Sequence, residues 1–157
     1  ILAQDYGINM TEIILKEDII NSFLKHGETD YPYECCGFIL GHFTNNKSIG
    51  TEYVPALNTK DDNKERRFLI DPLAYQNAEE KADKKGLSII SIVHSHPDHP
   101  DRPSEFDRNH AWPGFSYIIM SIKKGVSRGY RSWKLDQDRI KFIEEKITII
   151  KEGKLNG

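Results

Sequence analysis

Leu87-Ser88-Ile89-Ile90-Ser91-Ile92-Val93-His94-Ser95-His96 is the stretch on which the fold turns. From Leu87 to Val93 it is almost wholly aliphatic with interspersed serines, the pattern of a central strand covered on both faces. The strand delivers two histidines at its end. Residues i and i+2 of a strand project from the same face, so His94 and His96 can both reach one ion from a rigid support. Upstream, Asp71-Pro72 is a strong helix start, with Asp as cap and Pro at the first helical position, and Gly86 is placed to end that helix. Downstream, Phe115 to Ile122 and Val126 to Leu135 read as a hairpin around Lys123-Lys124-Gly125.

Between strand and hairpin lies Pro97-Asp98-His99-Pro100-Asp101-Arg102-Pro103-Ser104-Glu105-Phe106-Asp107, where Ser104 is placed to cap a short helix through about His110. A catalytic zinc usually has three protein ligands and one open position, so the two histidines need one more donor. Asp107, on the first turn of the following helix, fits that need. Asp98 and Asp101 are closer in sequence, and the three prolines that stiffen their loop leave its aim undetermined. An H-x-H pair alone does not identify a metal site, because buried histidines also serve simply as hydrogen-bonding groups. His99 and His110 are read as residues that orient Asp107 or line the cleft, and Trp112 and Trp133 as core or cleft walls.

Toward the N-terminus, Glu12 to Leu15 reads as a short strand. Lys16 to His26 reads as an amphipathic helix carrying Ile19, Ile20, Phe23 and Leu24 and ended by Gly27. Cys36 to Gly41 fits a buried strand, Asn45-Asn46 a turn and Tyr53 to Leu57 another strand. Asn58 to Glu65 has the composition of a mobile surface loop, and Arg66 to Ile70 returns to strand character. Asp138 to Ile150 is ambiguous between strand and helix, and the chain shows no internal repeat.

A chain of 157 residues suits one domain with a full core. It divides into an N-terminal extension at 1–10, since Met10 directly precedes the first strand, one domain at 11–150 and a tail at 151–157. Hydrophobic residues make up 38% and charged residues 29%, ordinary for a soluble protein, with no run of the ~18 apolar residues that a membrane span needs. The net charge of -2, from 22 basic and 24 acidic residues, gives no electrostatic case for nucleic acid or an anionic membrane. Cys35 and Cys36 are adjacent on a strand and face opposite sides, poorly placed to bridge or to chelate one metal. Two reduced thiols, no disulfide framework and no basic-then-apolar leader make a reducing cytoplasm the expected compartment.

Taken together, His94, His96, Ser104 and Asp107 reproduce H-x-H-x7-S-x2-D, and on that string the chain resembles the JAMM, or MPN-plus, zinc metallopeptidases. Pro32 to Gly41 is similar to the family's upstream segment, in which a glutamate precedes a glycine-containing strand of small residues. Glu34 is the matching glutamate. Ala111 to Tyr117 and Arg131-Ser132-Trp133 look like the stretches that follow the motif in small bacterial members, notably peptidases acting on ubiquitin-fold sulfur-carrier proteins. The likeness covers roughly Thr11 to Leu135.

The resemblance implies an α+β fold, a mixed, curved sheet flanked by helices in an α/β/α sandwich-like arrangement. This is the MPN/JAB fold, related to the cytidine-deaminase-like fold. It implies one zinc per chain on His94, His96 and Asp107, which lowers the pKa of water toward ~7 and polarises the scissile carbonyl. Glu34 becomes the base that takes the water's proton and hands it to the leaving amine, a role that spacing alone would not separate from Glu28, Glu52 or Glu65. Ser104 becomes a hydroxyl that stabilises the oxyanion, a helix cap, or both. The implied substrate is a ubiquitin-like or sulfur-carrier protein conjugated through its C-terminal Gly-Gly, with the flexible tail extended along a strand edge. Little room remains for insertions that grip ubiquitin, so polyubiquitin is not expected. Two other classes are a non-catalytic MPN scaffold and a zinc amidohydrolase on small amides or a deaminase. Deaminases need a Pro-Cys-x-x-Cys ligand pair, and the only cysteines here are neighbours.

Overall fold

The computed structural model describes residues 11–56, 70–136, 138 and 141–151. Among the described residues, seven strands form one mixed sheet: β1 (Glu12–Lys16), β2 (Cys36–Thr44), β3 (Lys47–Ala56), β4 (Ser88–Pro97), β5 (Ser116–Lys123), β6 (Val126–Leu135) and β7 (Phe142–Ile150). Helix α1 is Glu17–Asp30, α2 is Pro72–Lys84 and α3 is Glu105–His110. The strand order is β1-β3-β2-β4-β5-β6-β7, and β1 pairs in parallel with β7, so the curved sheet closes into a barrel. The expected α+β architecture of a mixed sheet with flanking helices is observed. No helix among the described residues is long and apolar enough to cross a membrane.

Alternation along the strands builds two cores. One holds Ile13, Leu15, Phe23, Ile39, Ile90, Val93, Ile118 and Met120, under α1. The other holds Phe38, Leu40, Ile89, Ile92, Tyr117 and the α2 alanines Ala78 and Ala82. Strand β4 serves both, as its nearly unbroken aliphatic run predicts. Its alternation is interrupted once. Opposite β2, Ile39 pairs with Ser91 and Leu40 with Ile89, leaving Ile90 as the extra residue of a bulge. Ile89 and Ile92 therefore share a face, and His94 and His96 continue on it.

Helix α2 forms where its punctuation places it, with the Asp71 carboxylate accepting from the Leu73 N–H and Gly86 at φ 71 just beyond the end. Helix α1 departs from expectation, running through Gly27 to Asp30. A Cβ on Gly27 would stand 2.7 Å from Met120 Sδ, so this glycine permits close packing of α1 on β5 and does not end the helix. The chain turns after Asp30, where Pro32 disfavours the helical conformation for Tyr31.

The β2–β3 turn contains Asn45 at φ 53, and β3 begins at Lys47, well before the expected Tyr53, because its pairing with β2 continues back to that turn. The Asn58–Glu65 loop and the strand from Arg66 lie outside the described residues, and Ile70 has no regular structure. Of the ambiguous stretch Asp138 to Ile150, Phe142–Ile150 is strand β7, whose buried Glu145 accepts from the Ser132 hydroxyl at 2.7 Å.

Candidate active site

The end of β4 carries His94, which is buried, and His96, which is partly exposed. The loop that follows is pinned at several points and returns the chain to α3. The Asp98 carboxylate accepts from the Lys124 N–H at 2.8 Å and from the Tyr31 hydroxyl at 2.7 Å. Asp101 lies 3.5 Å from Arg131 Nε, and its carbonyl accepts from Trp133 Nε1 at 3.1 Å. Both aspartates are thus committed to fixing the loop, and Asp107 alone of the three meets the histidines. Asp107 Oδ1 lies 3.2 Å from His94 Nε2, and Oδ2 lies 3.1 Å from His96 Nε2.

Helix α3 is locked by a capping box. The Ser104 hydroxyl oxygen accepts from the Asp107 N–H at 3.1 Å, while the Ser104 N–H donates to Asp107 Oδ2 at 2.8 Å. The cap is therefore made by the Ser104 side chain, and its O–H hydrogen is still available to donate. The same box orients the Asp107 carboxylate. Burial would raise that carboxyl, but hydrogen bonds from His94 and His96 hold it well below the usual carboxylate range. Burial lowers His94, outweighing Asp107; for His96 burial is overcome by Asp107, and the ring is raised.

His96 Nδ1 is 2.8 Å from the Pro100 carbonyl, which can only accept, so Nδ1 carries a proton. Nε2 then faces a carboxylate oxygen 3.1 Å away, donating to it while the ring is protonated and presenting a lone pair to it when the ring is neutral. Two acceptors at that distance require a proton or a cation between them. A tetrahedral zinc with bonds of about 2.0–2.2 Å sets its donors roughly 3.3–3.6 Å apart, close to the spacings found here. His94, His96 and Asp107 form a group able to hold a metal ion, with their donors within 4.8 Å of one another.

Glu34 precedes β2 on the neighbouring strand line. Cys36 pairs with His94, and the Ser95 N–H donates to the Cys35 carbonyl, so the antiparallel register brings Glu34 level with His96. Burial pushes the Glu34 carboxyl up to about 8, with His96 opposing and Asp107 adding to the rise. Cys36 lies on this same face, packed against the second core, while Cys35 points to the other; both are free, and burial pushes the Cys35 thiol up to about 12. Beside the histidines a cavity of about 190 Å³ is lined by Ile70, His94, Asp107, His110, Trp112 and Tyr117, among others. His110 thus lines the cleft as expected, its Nδ1 bonded to the Phe106 carbonyl, whereas the His99 carbonyl accepts from Ser121. Trp112 forms a cleft wall and Trp133 anchors the loop.

Residues 16–136 match the family of prokaryotic homologs of the JAB domain. The chain belongs to the prokaryotic JAB-domain family. Among curated relatives, tail tip assembly protein K of Escherichia phage N15 is 32% identical over 94 residues, 60% of this chain and 34% of that protein. This JAB chain therefore spans about a third of the phage protein's length. A desampylase of Haloferax volcanii is 28% identical over 116 residues, 71% of this chain and 81% of the enzyme. Among solved structures, a Desulfitobacterium hafniense protein superposes with a TM-score of 0.78 at 27% identity, covering 89% of this chain and 94% of that one. A Salinibacter ruber protein gives 0.70 at 35% identity, covering 87% and 90%.

Proposed function

We propose that this JAB-domain protein is a zinc-dependent peptidase or isopeptidase that hydrolyses the amide bond after the Gly-Gly terminus of a ubiquitin-like or sulfur-carrier protein. The observation that carries the reading is the arrangement of His96, proton-locked at Nδ1 by Pro100, with its Nε2 facing the Asp107 carboxylate beside His94. His94, His96 and Asp107 would hold the ion. When bound, zinc acidifies water and polarises a carbonyl.

The remaining work falls to the protein. Glu34, level with His96 on the adjoining strand line, takes up a proton at its carboxylate and returns it to the leaving amine. The Ser104 hydroxyl, held at the head of α3, has its hydrogen available for an oxyanion. Beyond Ile49, the outer edge of β3 has no ladder partner among the described residues, and its last residue, Ala56, pairs with Cys36, which pairs with His94. An extended glycine tail could add to that edge through its backbone and arrive at the metal side of the sheet. The likeness to a desampylase supports this substrate class. A scaffold module would need none of these groups, and the complete set favours hydrolysis.

The test is cleavage of a ubiquitin-fold protein whose C-terminal Gly-Gly is fused to a short peptide, followed by mass spectrometry. Cleavage after the second glycine, lost on chelation and restored by zinc, is the expected result. Zinc-loaded protein that leaves such fusions intact, while hydrolysing small amides, would replace the proposal with the amidohydrolase reading.

A further inference from the structure

The face of the sheet opposite the candidate active site carries a second convergence of metal-ligating atoms. His26 and Asp30, one turn apart on α1, and Cys35, just before β2, each bring one donor atom within 4.8 Å of the others. Nitrogen, carboxylate oxygen and sulfur form a set suited to zinc-class divalent ions. His26 Nδ1 lies 2.7 Å from the Tyr53 hydroxyl, which turns the Nε2 edge toward Asp30 Oδ2 at 3.4 Å. A fixed partner on the second ring nitrogen is what orients a metal-binding histidine. A phenol oxygen both donates and accepts, so the ring can keep its proton on Nδ1 and offer Nε2.

Tyr53 is itself held in place. Its ring meets Phe23 edge-on at 6.1 Å, and a side chain on Gly37 would collide with its hydroxyl end. Cys35 is fixed from both sides by Ser95, whose Oγ accepts from the Cys35 N–H at 2.9 Å and whose N–H donates to the Cys35 carbonyl at 3.1 Å. The thiol is buried, while side-chain exposures of 17% for His26 and 27% for Asp30 leave an entrance from solvent.

We propose that His26, Asp30 and Cys35 form a second cation site, which takes a zinc-class divalent ion through Nε2, a carboxylate oxygen and Sγ and leaves the fourth position to water. On binding, the S–H bond breaks, the sulfur–metal bond forms and the proton leaves to solvent. Tetrahedral bonds of about 2.0–2.3 Å set such donors roughly 3.3–3.8 Å apart, so side-chain rotations on the order of 1 Å complete the site. The ion ties the C-terminal turn of α1 to the segment that carries Glu34, from the side of the sheet away from His94 and His96.

Sulfur makes the test selective, since the His94, His96 and Asp107 group contains none. Metal-free protein is titrated with cobalt(II), and the near-ultraviolet thiolate-to-cobalt charge-transfer band is recorded. The band is expected in the wild type, in Cys36→Ser and in the double variant His94→Ala, Asp107→Ala, and is expected to vanish in Cys35→Ser with the same circular dichroism as wild type. Asp30→Asn, at a partly exposed position, provides a second readout. Its cobalt affinity should fall at least roughly tenfold, the low end of what losing a supporting group costs a metal site. No band in the wild type, a band that follows Cys36, or an Asp30→Asn titration identical to wild type would overturn the proposal.

Discussion

On one face of β4, Ile90 and Val93 pack under α1 in an apolar core that includes Phe23 and Met120, and Ser95 accepts from the Cys35 N–H. On the other, Ile92 packs beneath α2, and two residues later the same face opens into a cavity with His94, Asp107 and Trp112. The strand is continuous and its residue types change little, so chemistry is set by what stands opposite. A closed core of apolar side chains supplies stability; an open end lined by polar donors supplies binding. The comparison predicts that substitutions on the two faces fall into separable classes, one read in rate and metal content, the other in unfolding free energy.

The strongest challenge comes from His96→Ala. It should abolish the zinc binding proposed for His94, His96 and Asp107 and bring the proposed amide hydrolysis below detection, as read by elemental analysis beside an activity assay. Glu34→Gln is next: turnover should fall by about 10²–10⁴, the usual contribution of a positioned general base, with metal content unchanged. Undiminished turnover would remove Glu34 from the chemistry. On the closed face, Phe23→Ala should cost about 3–5 kcal/mol in denaturant unfolding, while the folded fraction keeps its full rate per molecule. Ser104→Ala sharpens the division, because this residue belongs to both classes: a rate loss of about 10²–10³ should accompany only ~1 kcal/mol of lost capping. The smallest effect belongs to Lys85→Ala. Its exposed pair with Glu52, at 2.6 Å, should contribute about 0–1 kcal/mol and nothing to rate.

Much of the site face was legible in the sequence because its determinants are local. His94 and His96 share a strand, and Ser104 and Asp107 share a helical turn, so fixed spacings express their geometry. The α2 boundaries were legible for the same reason, through Asp71, Pro72 and Gly86. Glu34 was not, since its place beside His96 is set by pairing between segments about sixty residues apart, and only the family resemblance singled it out. Gly27 misled because a glycine that ends a helix and one that lets a helix pack closely look alike until Met120 is seen against it. Closure of the barrel was equally hidden. It depends on β1 meeting β7 from the far end of the chain, and β7 lacks a regular alternation of buried and exposed residues. Asp98 and Asp101 could be set aside as rival ligands only by seeing where their carboxylates were already engaged.

The bulge at Ile90 gives β4 something like a reading frame. Loss of Ile90 itself would only remove the bulge, since Ile89 and Ser91 already stand opposite Leu40 and Ile39, whereas a single deletion between Ser91 and Val93 would shift the phase of all that follows without altering one downstream letter. His94 and His96 would then turn toward Phe23 and Met120, and Ser95 toward Asp107. Between Ser91 and His94 the strand can accept a different residue more readily than a different number of them.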